Sequence, residues 1–243
     1  MPFPKCLAVA FLGAASLSAH GQRALIVNPD NRPISPDTTL VTTKHGLARS
    51  NSVAPISLQL FNGKDFTGWD FCMKNGADPA KTWSVTNGVI HCNGAAVGYL
   101  RTTTSHHDYR LTVEWRFTKM APKADNTGIL VHIQPPDKVW PQCVQVQGKH
   151  DHLGDLFLMS GAESKEHRSM DANVPLPLRG GSAEKPIGEW NICETVCSGN
   201  SVQTFINGRL LNETSGCTVS NGMIGIQSEG ADFEIRKIIL QLL

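Results

Sequence analysis

The stretch between Trp140 and Phe157 concentrates polar side chains that could hydrogen-bond a hydroxyl-rich ligand. Residues 143–149 alternate as a strand does, with two valines on one side. The opposite side carries Cys143, Gln145, Gln147 and Lys149. Two amides and an ammonium group are poorly suited to burial but can bind sugar hydroxyls, so this face predicts a carbohydrate site. The alternative is a solvated outer face of a sheet.

Other segments place similar side chains on the faces that their apolar residues leave free. Alternation assigns the following residues to non-core faces of further strands: Glu114, Arg116, His132, Gln227 and Glu229. If these strands share one sheet with residues 143–149, the polar side chains form a single concave patch. Trp140 could stack on a sugar ring there, although a core or edge tryptophan is an equal alternative.

A group of potential metal ligands follows the strand at 143–149. His150, His152 and Asp155 could bind a divalent metal ion through imidazole and carboxylate atoms. In a strand, His150 and His152 point to the same side and Asp151 to the other, whereas a loop lifts this restriction. The sequence therefore predicts a possible divalent cofactor, with a solvated loop as the alternative.

The charge balance argues against two classes of partner. The 243 residues include 22 Lys and Arg and 21 Asp and Glu, which gives a formal net charge of +1. This balance gives no electrostatic reason to expect nucleic acid or an anionic membrane surface. An apolar fraction of 40% suffices for a packed core, and 22 Gly with 14 Pro favour short strands joined by turns.

Residues 1–21 have the features of a secretory signal peptide. Lys5 precedes an apolar run from Leu7 to Leu17, which is too short to span a bilayer, and Ala19-His20-Gly21 offers small residues for cleavage. A buried or disordered N-terminal segment is the alternative. Residues 22–55 show no lasting apolar periodicity, so we predict a flexible linker before a domain at 56–243. We expect export to the periplasm or the extracellular space.

Six cysteines remain when Cys6, in the signal segment, is removed from the total of 7. Export permits disulfides, and the sequence leaves buried free thiols and one or two bridges as equal alternatives. Cys193 and Cys197 lie two pleats apart on one predicted strand, which is too far for a bond between them.

Strand patterns cover most of residues 56–243, without a long amphipathic helix. Tyr109 to Phe117 alternates most clearly, and the same rule places Ile133 inward and His132 outward on the next strand. Asn87-Gly88 and Asn207-Gly208 predict two hairpin turns. The pattern predicts an all-β fold in which two antiparallel sheets pack as a sandwich.

Several motifs occur in the order and spacing of a known family: Phe61-Asn62-Gly63-Lys64-Asp65-Phe66-Thr67-Gly68-Trp69, Trp83-Ser84-Val85, Asn126-Thr127-Gly128-Ile129, Gly188-Glu189-Trp190-Asn191, Ile206-Asn207-Gly208 and Gly225-Ile226-Gln227-Ser228-Glu229-Gly230. Together with Phe233–Ile238, they resemble the 3-keto-disaccharide hydrolase domain family over residues 56–243.

This resemblance implies a concanavalin A-like, laminin G-like jelly roll that cleaves 3-keto-glycosides, including 3-keto-disaccharides. A separate sugar 3-dehydrogenase would oxidise position 3 first. The resulting carbonyl acidifies the C2 proton, so a general base can start elimination of the anomeric leaving group, with hydration or net hydrolysis as the outcome. Such a site needs a base, donors for the enolate oxygen and, in some cases, a metal ion.

Within this chemistry, Glu229 is the first candidate for the base and His132 the second. Glu114 is a third candidate, with a surface ion pair to Arg116 as the alternative. Arg116 or Lys149 could stabilise the enolate charge. The expected substrate-binding residues are Arg116, Trp140, Gln145, Gln147, Lys149 and Gln227.

Two positions depart from the family pattern. Many members have glutamate where Gln145 stands, and the closing motif often has histidine where Glu229 stands. An amide cannot accept a proton as a carboxylate does, so either the carboxylate has moved between strands or activity is lost. The alternative functions are a carbohydrate-binding module without catalysis and, more weakly, a laminin G-like adhesion domain.

Overall fold

The computed structural model describes residues 42–43, 46–47, 55–118, 126–167, 174–176 and 180–243. The chain divides into two units, residues 1–53 and 54–243. In the first unit, β1 (Thr42–Thr43) and β2 (Gly46–Leu47) pair antiparallel. The predicted signal peptide at 1–21 and most of the predicted linker at 22–55 lie outside the described residues, so both stay predictions.

The regular secondary structure of the second unit consists mainly of strands. They are β3 (Ser57–Gln59), β4 (Trp69–Met73), β5 (Trp83–Thr86), β6 (Val89–Cys92), β7 (Gly98–Thr102), β8 (Tyr109–Phe117), β9 (Gly128–Ile133), β10 (Cys143–Gln147), β11 (Leu156–Met159), β12 (Asn191–Ser198), β13 (Ser201–Ile206), β14 (Arg209–Thr214), β15 (Met223–Ser228) and β16 (Phe233–Leu242). Two short 3₁₀ turns, Lys74–Gly76 and Pro79–Lys81, are the only helical elements among the described residues. None of the described helical segments is long and apolar enough to cross a membrane.

The strands form two antiparallel sheets that pack as a jelly-roll sandwich, which confirms the predicted fold class. We call the six-stranded sheet, in the order β11-β10-β9-β15-β7-β4, the site sheet. The other sheet, in the order β14-β13-β12-β8-β16-β6-β5 with β3 added against β16, is the back sheet. The main apolar core lies between the two sheets.

The central strand of the back sheet, β8, shows why alternation specifies this architecture. Leu111, Val113 and Trp115 are buried against the core, while the side chains between them are half-buried on the outer face. Burial of each side chain of this size contributes roughly 1.5–3 kcal/mol to folding. A polar residue at one of these inward positions would lose this free energy of burial. The alternation of apolar and polar residues therefore determines which face of β8 is buried.

The two predicted hairpin turns are confirmed. Asn87 and Gly88 have φ values of 53° and 78°, and Asn207 and Gly208 have φ values of 51° and 81°. Two consecutive left-handed residues form the turn whose twist matches that of the flanking strands, and Asn-Gly tolerates this backbone best. These turns connect β5 to β6 and β13 to β14.

The six cysteines of the second unit are free thiols, of which five are buried and Cys72 is half-buried. Cys193 and Cys197 lie on the buried face of β12, as predicted. Burial raises the pKa of each of these two thiols to about 12. Both are therefore un-ionised at neutral pH.

Strand β9 departs from simple alternation at His132. This residue has a φ of 60°, and the register between β9 and β15 shifts beside it. A left-handed residue at a bulge turns the following side chain to the opposite face. Ile133 therefore packs with Tyr99 and Leu130, while His132 is buried against Tyr109. The prediction that Ile133 points inward and His132 outward is wrong.

Candidate functional site

A cavity of about 370 Å³ lies on the outer face of the site sheet. Its lining residues are Asn126, Trp140, Gln145, Gln147, Phe157, Met159, Ser160, Gln227 and Glu229. This volume is within the usual range for small-ligand sites. The structure thus brings together five of the residues that the sequence placed in one patch: Trp140, Gln145, Gln147, Gln227 and Glu229.

Gly128 on β9 allows the polar side chains of β10 and β15 to meet across the strand between them. It lies opposite Gln147 in the β9–β10 pairing. A Cβ atom at this position would lie 2.9 Å from Gln145 Nε2, closer than side chains normally approach. The absence of a side chain here leaves room for contact between Gln145 and Gln227.

Three buried glutamine amides, which we call the amide chain, run across the floor of the cavity: Gln147, Gln145 and Gln227. The backbone N–H of Gly148 donates to Gln147 Oε1 at 2.9 Å. Gln145 Nε2 donates to Gln147 Oε1 at 3.4 Å and to Gln227 Oε1 at 3.3 Å. Gln227 Nε2 then donates to Glu229 Oε2 at 3.2 Å. The amide chain therefore joins a backbone donor at one end to a carboxylate at the other.

Glu229 is the only carboxylate among the described residues that line the cavity. Its Oε2 accepts hydrogen bonds from Asn126 Nδ2 and Gln227 Nε2, whereas Oε1 accepts none from the described residues. Burial raises the pKa of Glu229 above its ordinary value, and the hydrogen bond from Asn126 opposes this shift. A carboxylate in this setting is oriented by one oxygen and keeps the other available for a ligand.

Trp140, Phe157 and Met159 form the apolar side of the cavity. Trp140 is 39% exposed, and its carbonyl oxygen accepts a hydrogen bond from the Ser160 hydroxyl at 2.8 Å. Phe157 lies opposite Gln145 in the β10–β11 pairing. An aromatic face beside amides and a carboxylate suits a sugar ring, whose C–H face is apolar and whose edge is polar.

Glu114 and Arg116 lie on the back sheet rather than at the cavity, so their predicted place in the patch is wrong. Glu114 accepts hydrogen bonds from Arg236 Nε at 2.7 Å and Lys237 Nζ at 3.2 Å. Arg116 Nε donates to Glu234 at 2.7 Å. Alternation assigns a side chain to one face of its strand but does not determine which sheet the strand joins. Both residues belong to ion pairs, but not with each other, so the alternative of a Glu114–Arg116 pair is also wrong.

His132 is also absent from the cavity wall, because the bulge in β9 turns it into the core. It is fully buried, and its ring centroid lies 5.8 Å from that of Tyr109. Burial lowers the pKa of His132 to about 4, while the Val219 backbone and the Asp108 charge oppose this shift. A neutral imidazole enclosed between the sheets cannot remove a proton from a ligand in the cavity, so the assignment of His132 as a second base is wrong.

Lys149 follows the end of β10 and does not line the cavity. The predicted strand at 143–149 ends at Gln147, and Lys149 lies exposed in the next turn. Its carbonyl oxygen accepts a hydrogen bond from the backbone of His152 at 2.9 Å. Lys149 is therefore not positioned by the site sheet as expected.

The predicted metal ligands do not converge as one set. His152 Nδ1 lies 3.0 Å from Asp155 Oδ2, whereas His150 Nδ1 lies 3.1 Å from Glu184 Oε1. His150, Asp151 and Glu184 instead form a cluster, which we call the His150 cluster, whose potential ligand atoms lie within 4.8 Å of one another. One imidazole and two carboxylates are a donor set that suits a divalent ion such as Zn²⁺ or Mn²⁺. Of the predicted ligands, only His150 belongs to this cluster.

Four cavity residues were not among the predicted site residues: Asn126, Phe157, Met159 and Ser160. Asn126 opens the Asn126–Ile129 motif, so the sequence did contain a signal for it. Strand β11 is a run of four apolar residues without polar alternation, so no pattern distinguished the cavity side of Phe157 and Met159.

Comparison with known proteins gives one family match and several similar folds. The sequence profile of 3-keto-alpha-glucoside-1,2-lyase-like domains matches residues 57–241. No curated protein sequence matches the chain significantly. A crystal structure from Parabacteroides distasonis, described provisionally as a glycosyl hydrolase, has a TM-score of 0.57 at 22% identity. That alignment covers 77% of this chain and 94% of the other.

Two further solved structures share the sandwich. The carbohydrate-binding module CBM66 from Bacillus subtilis has a TM-score of 0.50 at 14% identity, covering 70% of this chain and 93% of the module. The exoplasmic/lumenal domain of VIP36, in its Ca²⁺/Man-bound form, has a TM-score of 0.51 at 10% identity. This alignment covers 77% of this chain and 89% of the VIP36 domain. At these identities the likeness establishes the fold and nothing more.

Proposed function

Because the chain belongs to the 3-keto-alpha-glucoside-1,2-lyase-like domain family, we propose that it is an exported enzyme that cleaves the glycosidic bond of 3-keto-glycosides, including 3-keto-disaccharides. One observation carries this proposal beyond family membership. Glu229 is a desolvated carboxylate, fixed through Oε2 by two amide donors, in a cavity with an aromatic side and a polar floor. This arrangement supplies a base and a surface for one sugar ring in the same place.

The proposed reaction begins at the carbon next to the ketone. Glu229 Oε1 removes the C2 proton, and the electron pair of the broken C–H bond forms an enolate with the C3 oxygen. When the C3 carbonyl reforms, the C1–C2 double bond forms and the C1–O bond to the leaving group breaks. The departing oxygen takes up the proton that Glu229 removed, which restores the carboxylate. Addition of water to the C1–C2 double bond then gives net hydrolysis.

The environment of Glu229 suits this role. Desolvation raises the pKa of Glu229, which makes the carboxylate a stronger base than one in water. The hydrogen bonds from Asn126 and Gln227 stabilise the ionised form, which is the form that can accept the proton. No other carboxylate among the described cavity residues competes for the proton.

Incubation of the purified protein with a 3-keto-disaccharide tests the proposal. We expect loss of the substrate and release of the free leaving-group sugar, followed by chromatography. The parent disaccharide, which has a hydroxyl at position 3, should remain intact under the same conditions because its C2 proton is not acidic. Saturable binding of the keto sugar without any product would contradict the enzyme assignment.

The second candidate function is a carbohydrate-binding module on the same fold. Gln145 favours it, because an amide occupies a position where many members of the resembled family have a carboxylate. The shared fold with CBM66 is compatible with either function. A binding module predicts saturable sugar binding, no turnover, and no effect of Glu229→Gln beyond a change in affinity.

An enzyme with this substrate depends on a partner reaction. The 3-keto group has to be introduced by a separate sugar 3-dehydrogenase, and the predicted signal peptide at 1–21 would place both activities in the periplasm or outside the cell. We include export and the partner dehydrogenase in the proposal.

The proposed divalent cofactor would bind at the His150 cluster. We expect the metal-free protein to take up one equivalent of Zn²⁺ or Mn²⁺ in an equilibrium dialysis experiment. Asp151→Asn should reduce this affinity at least tenfold without unfolding the protein, because the Asp151 side chain is 78% exposed. His152→Gln, in the same loop but outside the cluster, is the matched control. If Asp151→Asn binds the metal ion as tightly as the wild type does, the His150 cluster is not the metal site.

A further inference from the structure

The orientation of the amide chain is determined from both of its ends. The Gly148 backbone N–H, which also donates to the Thr127 carbonyl oxygen at 2.9 Å, cannot accept from an amide N–H, so the oxygen of Gln147 faces it. A carboxylate that acts as a base is ionised and can only accept, so in this state of Glu229 the nitrogen of Gln227 faces it. Gln145 Nε2 contacts the oxygens of both neighbours, which is the only orientation that satisfies the two fixed ends. The three amides cannot be flipped independently.

This orientation determines which polar atoms remain for a ligand. The Nε2 group of Gln147 has no partner among the described residues, although the side chain is only 6% exposed and lines the cavity. Gln145 Oε1 and Glu229 Oε1 likewise accept no hydrogen bond from the described residues. The cavity thus offers a donor at Gln147 and acceptors at the other two positions. The Gln147 Nε2 group faces the cavity, so a bound ligand can supply an acceptor there.

The described residues of the cavity wall supply neutral hydrogen-bond donors, and this bears on which ligand oxygen Gln147 contacts. No lysine or arginine is among the described residues that line the cavity, so the donors that these residues offer to a developing oxyanion are neutral. Neutral N–H donors can stabilise an oxyanion when they are held in place before the reaction, as the backbone contact holds Gln147. Glu229 and Gln147 are linked through the other two amides, so base and donor face one cavity.

We infer that Gln147 Nε2 donates a hydrogen bond to the carbonyl oxygen at position 3 of the substrate, and that this bond strengthens as the enolate forms. Gln145 Oε1 accepts a hydrogen bond from a neighbouring sugar hydroxyl. This inference rests on the proposed function, since it assigns the atoms that recognise the keto sugar. It replaces Arg116 and Lys149, which the sequence suggested for the enolate charge, with a neutral amide on the site sheet.

Two substitutions at Gln147 test the assignment. Gln147→Glu keeps an oxygen for the Gly148 N–H and for Gln145 Nε2 but replaces the donor with an acceptor. Gln147→Met removes all hydrogen bonding without adding charge. We expect both variants to lower kcat for a 3-keto-disaccharide by about 10²–10³, the usual effect of losing one oxyanion donor, with a smaller change in KM. Unfolding curves would identify any loss of folding, and Gln59→Glu on the exposed strand β3 is the matched charge control. A higher KM with unchanged kcat would overturn the inference.

A binding measurement separates this inference from the proposed function. We expect the wild-type protein to bind a 3-keto-disaccharide at least tenfold more tightly than the parent disaccharide, whether or not turnover occurs. Gln147→Met should remove this preference, because it loses the donor that faces the oxygen at position 3. Absence of turnover together with this pattern would overturn the enzyme assignment and support the role of Gln147. An equal preference in the wild type and in Gln147→Met would overturn the role of Gln147 even if turnover is observed.

Discussion

Glu229→Gln is expected to lower kcat for a 3-keto-disaccharide by a factor of about 10²–10⁴, the contribution that a positioned general base usually makes. The amide has the shape of the carboxylate, and its oxygen can still accept from Asn126 or Gln227. It has no basic site for the C2 proton, so binding should persist while turnover is lost. Steady-state kinetics together with the affinity for the keto sugar would measure this separation.

Glu114→Gln is the matched control for this prediction. It makes the same chemical change on the back sheet, where Glu114 pairs with Arg236 and Lys237. We expect a small loss of stability at this partly exposed ion pair and no change in kcat. Near-full activity of Glu229→Gln, or an equal loss in both variants, would remove Glu229 from the mechanism.

His132 is expected to make the protein less stable as the pH falls from 7 to 5. Its pKa is lowered from 6.5 to about 4 in the folded protein, so in this window the unfolded chain binds a proton that the folded chain does not. Stability therefore decreases with decreasing pH, by about 2 kcal/mol between pH 7 and pH 5 from this residue alone. Denaturant unfolding at the two pH values would measure the change in the free energy of unfolding.

The contribution of His132 can be isolated with His132→Leu, which replaces the buried imidazole with an apolar side chain that does not titrate. We expect the decrease between pH 7 and pH 5 to be about 2 kcal/mol smaller in this variant than in the wild type. Glu229 remains in both proteins and cancels in the comparison, whereas Asp108 interacts with His132 and belongs to the difference that is measured. Parallel pH curves for the wild type and His132→Leu would contradict the assignment.

The parts of the fold that the sequence predicted correctly depend on local rules. Alternation in β8 identified its buried face, because a strand with one buried face has a period of two residues. Two Asn-Gly pairs identified hairpin turns, because few other residues adopt the required left-handed backbone. The polar face of β10 was also visible in the order of its residues, and the structure places Gln145 and Gln147 together at the cavity.

The errors have two physical origins. The position of His132 depends on a bulge in β9, and nothing in the local pattern specifies where a strand adds an extra residue. The grouping of Glu114 and Arg116 with the site depends on which sheet β8 joins, which is determined by long-range pairing with β12 and β16. The His150 cluster was incomplete for the same reason, since Glu184 is distant in sequence from His150 and Asp151.

The buried thiols have a consequence for how the domain could be studied. Burial raises the pKa of Cys92 and Cys217 to about 11, and that of Cys193 and Cys197 to about 12, so their nucleophilic thiolate forms are scarce as well as inaccessible. An alkylating reagent would reach the half-buried Cys72 first, and would reach the cysteines of the main core only when the sheets separate: Cys92, Cys193, Cys197 and Cys217. The rate of alkylation at these interior positions therefore measures how often the sandwich opens, and the native cysteines serve as the probes.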